Sequence, residues 1–204
     1  RSYVKNYPEF YFLNYVLFHR TNDEEIKPCR TYFWKKIKDK VQGKAMVEAA
    51  LEINHWCAGE VMYQGTDMRT GSALEIYRSG VGRCGEEAVF VVNVMRSAGI
   101  PARPVYVPRS SHCDDNHAWV EVWCDGDWHY LGACEPEAVL DKGWFTNAAS
   151  RAMMIGSRWY DRAMPDEKVI GKDGMNRIIN LLGKYAKTRW ITITVDDLDG
   201  TPAA

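Results

Sequence analysis

The sequence predicts an α+β domain in which helices come first and an antiparallel meander of strands follows. Apolar residues recur at a helical spacing between residues 45 and 63, which predicts an amphipathic helix. The segment "VFVVNVMRSAG" at 89–99 is apolar on nearly every side, as expected for a helix at the centre of a fold. The segment "HAWVEVWC" at 117–124 alternates with a period of two, which predicts a strand. Helices followed by a run of strands indicate the α+β class.

Two further helices are predicted near the start of the chain. The segment "PEFYFLNYVLFHR" at 8–20 is rich in aromatic residues and carries proline in its first turn, where a helix tolerates it. Residues 31–42 form an amphipathic pattern, and Gly43 follows directly, which is typical of a helix end. Together with 45–63, these segments predict a group of N-terminal helices beside the central one.

The strands are predicted after the central helix. "PVYVP" at 104–108 is a short strand, and 117–124 continues through the turn "DGD" into a partner strand "WHYLGA" at 128–133. Farther on, 175–187 predicts a helix and "RWITITV" at 189–195 predicts a strand.

We expect one catalytic-type domain over 1–190, with a helical part at 1–63 and a core at 64–165. Residues 191–204 end in "DDLDGTPAA", which suggests the start of a following β-rich domain. This tail and the arginine at position 1 favour a secreted or cell-envelope location for the protein, although no targeting segment is visible.

Composition excludes several classes of function. The 204 residues carry a formal net charge of −1, which does not favour nucleic-acid binding. No apolar run approaches the roughly 18 residues that a membrane span needs. The six cysteines form no CxxC pair and no zinc-ribbon spacing. We therefore expect no metal, no cofactor, no nucleic acid and no membrane span.

Cys84 is the first candidate for chemistry. It lies between Gly82 and Gly85 in "VGRCGEEA", at the beginning of the central helix. The N–H groups at a helix N-terminus stabilise a thiolate and lower the pKa of a cysteine. The glycines allow a tight turn around the thiol. The structural alternative is a small buried thiol without a catalytic role.

His117 is the candidate base. A thiol nucleophile needs a base and a third group that orients the base. His117 begins the strand 117–124, which follows the helix after one short strand and a loop. Pairing within the sheet can therefore bring the imidazole to the helix tip. An ordinary histidine at a strand end is the alternative.

The run "GVGRCGEEAVFVVNVMRSAGIPARPVYVP", a polar loop, and "HAWVEVWCDGDWHYLGACEPE" together resemble the transglutaminase-like core. These motifs span residues 80–137, and "EINHWC" at 52–57 is similar to bacterial members. The resemblance implies a papain-like fold in which a helix carries the catalytic cysteine and packs on an antiparallel sheet. It also implies a histidine and an aspartate on adjacent strands of that sheet.

The third catalytic residue departs from the family pattern. Four residues after Trp128, where the family places Asp-Pro, the chain has Gly132, and the first acid-Pro pair is Glu135-Pro136. A two-residue turn at Asp125-Gly126 sets His117 opposite Cys134, whereas a three-residue turn sets it opposite Glu135. We select the second register and Glu135. The alternatives left open are Glu137, Asp114 and Asp115, and a solvated Glu135 without a catalytic role.

Four further residues are candidates for substrate contacts. The N–H of Cys84 is an expected oxyanion donor, and a side chain upstream, Trp56 or Gln64, is the candidate for a second donor. Trp119 and Trp144 are candidate walls of an acyl-binding cleft. For Trp56 and the other tryptophans the alternative is core packing, and for Gln64 it is a surface loop.

Three functions fit the sequence. The first is a cysteine acyl-transfer enzyme with a peptide or protein as its partner. It forms a thioester and passes the acyl group to an amine or to water, giving cross-linking, deamidation or peptide hydrolysis. The second is a catalytically impaired module that binds a peptide or glycan. The third is a metal site. Its ligands would be His112, Cys113, Asp114, Asp115 and His117. Adjacent residues of one loop rarely converge on one ion.

Overall fold

The computed structural model describes residues 2–67, 69–111, 115–160, 167–174, 176–189 and 191–195. After a 3-10 turn at Ser2–Lys5, the helices are α1 (Glu9–Phe12, continued by a π turn at Leu13–Leu17), α2 (Arg30–Val41), α3 (Met46–Glu60), α4 (Ala73–Ser79), α5 (Cys84–Ala98), α6 (Thr146–Ala149) and α7 (Leu182–Tyr185). The strands are β1 (Met62–Tyr63), β2 (Val81–Gly82), β3 (Ala102–Val107), β4 (His117–Cys124), β5 (Asp127–Leu131), β6 (Gly156–Trp159), β7 (Val169–Asp173) and β8 (Asn176–Asn180).

Helix α5 lies at the centre of the fold. Every residue from Glu86 to Ala98 is buried, which agrees with a sequence that is apolar on all sides. The helix packs on β3 and β4 and on α2, α3 and α4. It ends at Gly99, whose φ of 86° is the left-handed conformation that glycine adopts easily. The predicted central helix packed on an antiparallel sheet is confirmed.

The main sheet has six antiparallel strands in the order β5-β4-β3-β6-β8-β7. Its two faces follow from the period of two in β4. Val120 and Val122 pack in the core with α5, whereas Trp119 belongs to a second core on the opposite face with residues of α6 and β6. Since β4 begins at His117, the strand brings this residue to the edge where the helix tip and the sheet meet.

Two predictions about the C-terminal part are wrong. Residues 176–180, within the predicted helix 175–187, form β8, which pairs with β6 and β7. Only 182–185 are helical. The described part of the predicted strand 189–195 contains no strand: residues 191–195 are irregular and exposed. A strand needs a partner, and the partners of these segments are set by tertiary structure and not by local pattern.

Arg103 is a buried cation on the face of the sheet away from α5. It lies opposite Glu121 in the β3–β4 register, and its Nε donates to Glu121 Oε2 at 2.7 Å. Its Nη1 donates to Glu167 Oε1 at 2.5 Å and to the Tyr15 hydroxyl at 3.3 Å. The guanidinium carbon lies 4.0 Å from the Trp128 ring centroid. Removing one member of such a network leaves a buried charge unpaired, which is costly.

Among the described helices, none is both long enough and apolar enough to cross a membrane.

Candidate active site

A cleft of about 750 Å³ runs across the N-terminal end of α5 and the beginning of β4. Cys84, His117, Glu135 and Trp144 all line it, so the structure brings together the three predicted catalytic residues and one predicted wall. On the helical side, the cleft is bordered by the segment that joins α3 to α4, which includes Tyr63.

Cys84 is the first residue of α5, and its neighbours fix the helix end. Nε of Arg83 donates to the carbonyl of Asp67 at 3.3 Å. Glu86 accepts from the N–H of Gly71 at 3.0 Å and from the Thr66 hydroxyl at 2.6 Å. These bonds hold the α3–α4 segment against the helix tip, and the thiol lies beside it in the cleft.

The flanking glycines are closely packed against neighbouring side chains. A Cβ atom at Gly82 would lie 3.1 Å from Cβ of Glu86, and one at Gly85 would lie 3.1 Å from Nη1 of Arg83. Both distances are shorter than ordinary contacts between side chains. A larger residue at either position would require Glu86 or Arg83 to shift by a few tenths of an ångström.

The predicted direction of the Cys84 pKa is wrong. Burial raises the pKa of this thiol, and the carboxyl of Glu87 also raises it, while the backbone N–H groups of Ala118 and Gly85 lower it. Burial outweighs the N–H groups, so the resting thiol is protonated at neutral pH. The action of the Ala118 N–H also places the sulfur at the beginning of β4, one residue along the strand from His117.

His117 is neutral at rest. Burial lowers the pKa of the imidazole to about 4, and only the charge of Asp115 opposes this. Its Nε2 is buried and has no hydrogen-bond partner. The ring packs among aromatic side chains, with centroid distances of 4.7 Å to Trp144 and 5.0 Å to Phe145. A neutral imidazole has a free lone pair and can accept a proton from the thiol.

The β4–β5 register differs from the one we selected. Cys124 pairs with Asp127 across a two-residue turn in which Asp125 and Gly126 have φ of 53° and 95°. Positive φ at both positions is the signature of a tight turn whose twist suits a hairpin. Continued along the strands, this register does not set His117 opposite Glu135, and β5 itself ends at Leu131.

The Glu135 carboxylate lies against Gly132, the position at which the family pattern has an acid. The chain turns back on itself, with an antiparallel bridge between Gly132 and Glu135 and a φ of 57° at Cys134. A Cβ atom at Gly132 would lie 2.3 Å from Oε2 of Glu135. The carboxylate of Glu135 therefore occupies the space that a side chain at 132 would fill. The register also places position 132 diagonally across from His117 on one face of the sheet.

The Glu135 carboxylate is only partly satisfied. Oε1 accepts a hydrogen bond from the Trp144 indole at 2.9 Å, and Oε2 is buried without a partner. Burial raises the pKa of this group, and the Trp144 bond opposes the rise. Within the described residues, no carboxylate is hydrogen-bonded to the His117 ring. The indole of Trp144, which contacts both groups, links them.

The alternative acids occupy other places. Asp115 lines the cleft and acts on His117 through its charge. Glu137 does not line the cleft and pairs with Lys142 at 2.9 Å. Asp114 lies outside the described residues, as do His112 and Cys113 of the metal hypothesis. In the described part of the chain, no group of three or more metal-binding side chains is present.

The other residues predicted to contact substrate do not line the cleft. Trp56 packs against Tyr77, at 6.0 Å between ring centroids, and does not line the cleft. Gln64 is exposed beside the cleft, and its backbone N–H donates to Gly82. Trp119 is fully buried and donates to the Tyr185 hydroxyl at 2.9 Å. These are the positions expected from the packing and surface alternatives.

Sequence reasoning missed Asn54 on α3. This buried residue donates to the carbonyls of Gly132 at 2.9 Å and of Glu135 at 3.4 Å. Its Oδ1 accepts from the N–H of Cys134 at 3.1 Å. Asn54 therefore holds both ends of the turn that carries Glu135. The available signal was an asparagine on the apolar face of α3, next to Ile53.

Glu87 lies in the first turn of α5. It is 3% exposed, and burial raises its pKa to about 8, with further contributions from Glu135 and Glu86. The carboxyl is thus protonated at neutral pH. Its position three residues after Cys84 places it on the same side of α5 as the thiol.

A thiol on a buried helix tip beside a histidine on an antiparallel sheet defines a class of protein that the family comparison identifies. Residues 35–133 match the model of the Transglutaminase-like superfamily, and the match includes Cys84 and His117. Residues 35–133 therefore carry the core of the transglutaminase-like superfamily. No curated protein matches the chain.

Solved structures with a similar fold come from three bacteria. A candidate cysteine protease from Cytophaga hutchinsonii is 19% identical at a TM-score of 0.43, over 74% of this chain and 57% of that protein. A candidate protease from Parabacteroides distasonis is 17% identical at a TM-score of 0.46, over 63% and 25%. Legionella pneumophila LapG is 17% identical at a TM-score of 0.44, over 54% and 66%. The chain thus spans less than two thirds of each of these proteins.

Proposed function

We propose that the cleft is the active site of a cysteine acyl-transfer enzyme of the peptidase type. The observation that carries the proposal is the meeting of three features in one cleft. The Cys84 thiol lies at the tip of a rigid buried helix, the first residues of β4 adjoin it, and His117 presents a neutral imidazole with a buried, unpartnered nitrogen. The match of residues 35–133 to the Transglutaminase-like superfamily supports a function of this kind.

The first half of the reaction forms a thioester. The sulfur of Cys84 attacks the carbonyl carbon of a peptide or carboxamide, and its proton passes to a ring nitrogen of His117. Because both groups are neutral at rest, the proton moves as the S–C bond forms, and the imidazolium exists only from that point. The C–N bond then breaks, and the imidazolium gives its proton to the leaving nitrogen.

Backbone N–H groups are the proposed oxyanion donors. The first N–H groups of α5 have no partner within the helix, and those of Cys84 and Gly85 lie at the thiol. Neither Trp56 nor Gln64 lines the cleft, so the proposal does not depend on a side-chain donor.

The second half regenerates the thiol. An acceptor attacks the thioester while His117 takes its proton, and the thiolate leaves and is protonated by the imidazolium. With water as the acceptor, the product is a carboxylic acid and the reaction is hydrolysis. With an amine as the acceptor, the product is a new amide and the reaction is cross-linking. In both cases Glu135 stabilises the imidazolium through its negative charge.

Peptide libraries analysed by mass spectrometry test the proposal. We expect cleavage or acyl transfer by the native protein and none by Cys84→Ala. The matched control is Cys29→Ala, which removes another buried thiol that does not line the cleft and should keep the activity. Mass differences between acid and amide products distinguish water from amine acceptors. Equal activity of native protein and Cys84→Ala, or none in either, contradicts the proposal.

A second candidate, a catalytically impaired module that binds a peptide or glycan, is favoured by one observation. Among the described residues, His117 has no hydrogen bond to an acid, although a working triad holds its base in this way. If the protein is such a module, native protein and Cys84→Ala would bind the same ligands from the library equally well, and neither would turn them over.

A further inference from the structure

A second, smaller cavity of about 110 Å³ lies on the face of the sheet away from α5, next to His117. We call it the side cavity. Its walls are mainly apolar and come from β3, β4 and the region of α6: Val107, Trp119, Trp144, Phe145, Ala148 and Ala149. The cavity is large enough for one aliphatic side chain and has the lining that such a group requires.

The side cavity adjoins the cleft. His117, Trp144, Val107, Asp115 and Asn116 line both spaces. Cys84 and Gly85, by contrast, line only the cleft. The imidazole therefore stands between the thiol and the side cavity.

The chemistry of the proposed function assigns the two sides of His117. The acyl group of the substrate becomes attached to the sulfur, so it must lie on the Cys84 side. The leaving nitrogen receives its proton from the imidazole, so the part of the substrate beyond the scissile bond must lie on the other side. The first residue of the leaving group is thus the one nearest the side cavity.

We propose that the side cavity is a subsite that selects an aliphatic side chain on the first residue after the scissile bond. The proposal rests on the proposed function, because it uses His117 as the proton donor to the leaving group. An aliphatic chain would be buried among Trp119, Phe145 and the two alanines of α6. A carboxylate would be disfavoured both by the apolar walls and by the negative charge of Asp115.

Cleavage rates test the subsite. Four peptides should differ only in the first residue after the scissile bond, with glycine, leucine, aspartate or lysine there. For native protein we expect a kcat/KM for leucine roughly 10-fold to 100-fold above that for glycine, which corresponds to burial of one aliphatic side chain. Aspartate should be the poorest. Equal values for leucine and glycine, or a preference for lysine, overturn the proposal.

A variant that fills the cavity gives a second test. Ala148→Leu introduces a side chain into the space, so the ratio of kcat/KM for leucine over glycine should fall to about one, as expected when the occupied area is lost. The matched control is Asn147→Leu, at an exposed position of the same helix that does not line the cavity. The control should keep the native ratio. An unchanged ratio in Ala148→Leu contradicts the subsite.

Binding without turnover separates the subsite from the proposed function. Calorimetry with Cys84→Ala compares two leaving-group fragments, leucyl-glycine amide and glycyl-glycine amide. A dissociation constant at least 10-fold lower for the leucyl fragment supports the subsite even if no peptide is cleaved, in which case only the proposed function fails. Equal binding combined with indiscriminate cleavage refutes the subsite and leaves the proposed function standing.

Discussion

Removing the Asn54 amide should damage catalysis beyond its effect on stability. Asn54→Ala deletes three hydrogen bonds, of 2.9, 3.1 and 3.4 Å, to the turn that carries Glu135. At about 1 kcal/mol each, with the longest counting least, the loss in free energy of unfolding should be about 2–3 kcal/mol. The freed turn no longer holds the Glu135 carboxylate against Gly132, and a displacement of about 1 Å in such a group lowers kcat roughly 100-fold.

The assay combines urea unfolding with steady-state kinetics, and Asn93→Ala is the matched control. Asn93 is also a buried asparagine, on α5, and its amide donates to Val89 at 2.9 Å and to Thr21 at 3.2 Å. It makes no bond to the Glu135 turn. We expect both variants to lose stability, but only Asn54→Ala to lose kcat with little change in KM. If the two variants lose kcat equally, Asn54 contributes to folding and does not position Glu135.

Four further predictions follow from the charges of the site and core. The acid limb of kcat/KM against pH should lie near pH 4 and not near 6.5, because the His117 imidazole is neutral above about 4; a limb above pH 6 contradicts this. Glu135→Gln should lower kcat by about 100-fold or more without unfolding the protein, as measured by kinetics and circular dichroism. Between about pH 4.5 and about pH 8, the Glu87 carboxyl holds its proton in the folded chain but not in the unfolded chain. The free energy of unfolding therefore falls as pH rises across this window. Glu87→Gln should remove up to about 1.4 kcal/mol per pH unit of this dependence in urea unfolding. Arg103→Met leaves its buried carboxylate partner unpaired and should cost about 3–5 kcal/mol of unfolding free energy.

Local pattern was sufficient to predict the two central elements of the site. The segment that is apolar on all sides predicts a buried helix, and the period of two in 117–124 predicts a strand. The positions of Cys84 and His117 at the beginnings of α5 and β4 therefore follow from periodicity. Their arrival in one cleft follows from the packing of α5 on β4. The two elements are assigned from local pattern, whereas the packing of α5 on β4 is a tertiary contact.

What could not be predicted depends on contacts distant in sequence. Whether Asp125-Gly126-Asp127 forms a turn of two or three residues is a small energetic difference, and it shifts every pair along β4 and β5. The contact of Asn54 with the Glu135 turn joins residues about 80 positions apart. The pKa of the Cys84 thiol depends on how deeply the helix tip is buried, which the residues around it do not reveal.

The directions of the pKa shifts determine which charge Glu135 would stabilise in the proposed reaction. In a site that rests as a thiolate and an imidazolium, the acid stabilises a charge that is always present. Here the Cys84 thiol and the His117 imidazole are both neutral at rest, so the imidazolium appears only as the substrate carbonyl is attacked. A buried imidazolium without a partner is costly, and the unpartnered Oε2 of Glu135 lies in the same cleft. An acid that acts only on the charged form lowers the barrier and leaves the resting state unchanged, which is what differential stabilisation of a transition state requires. The absence of a Glu135–His117 hydrogen bond at rest is therefore compatible with catalysis, and the kcat of Glu135→Gln distinguishes this arrangement from an impaired site.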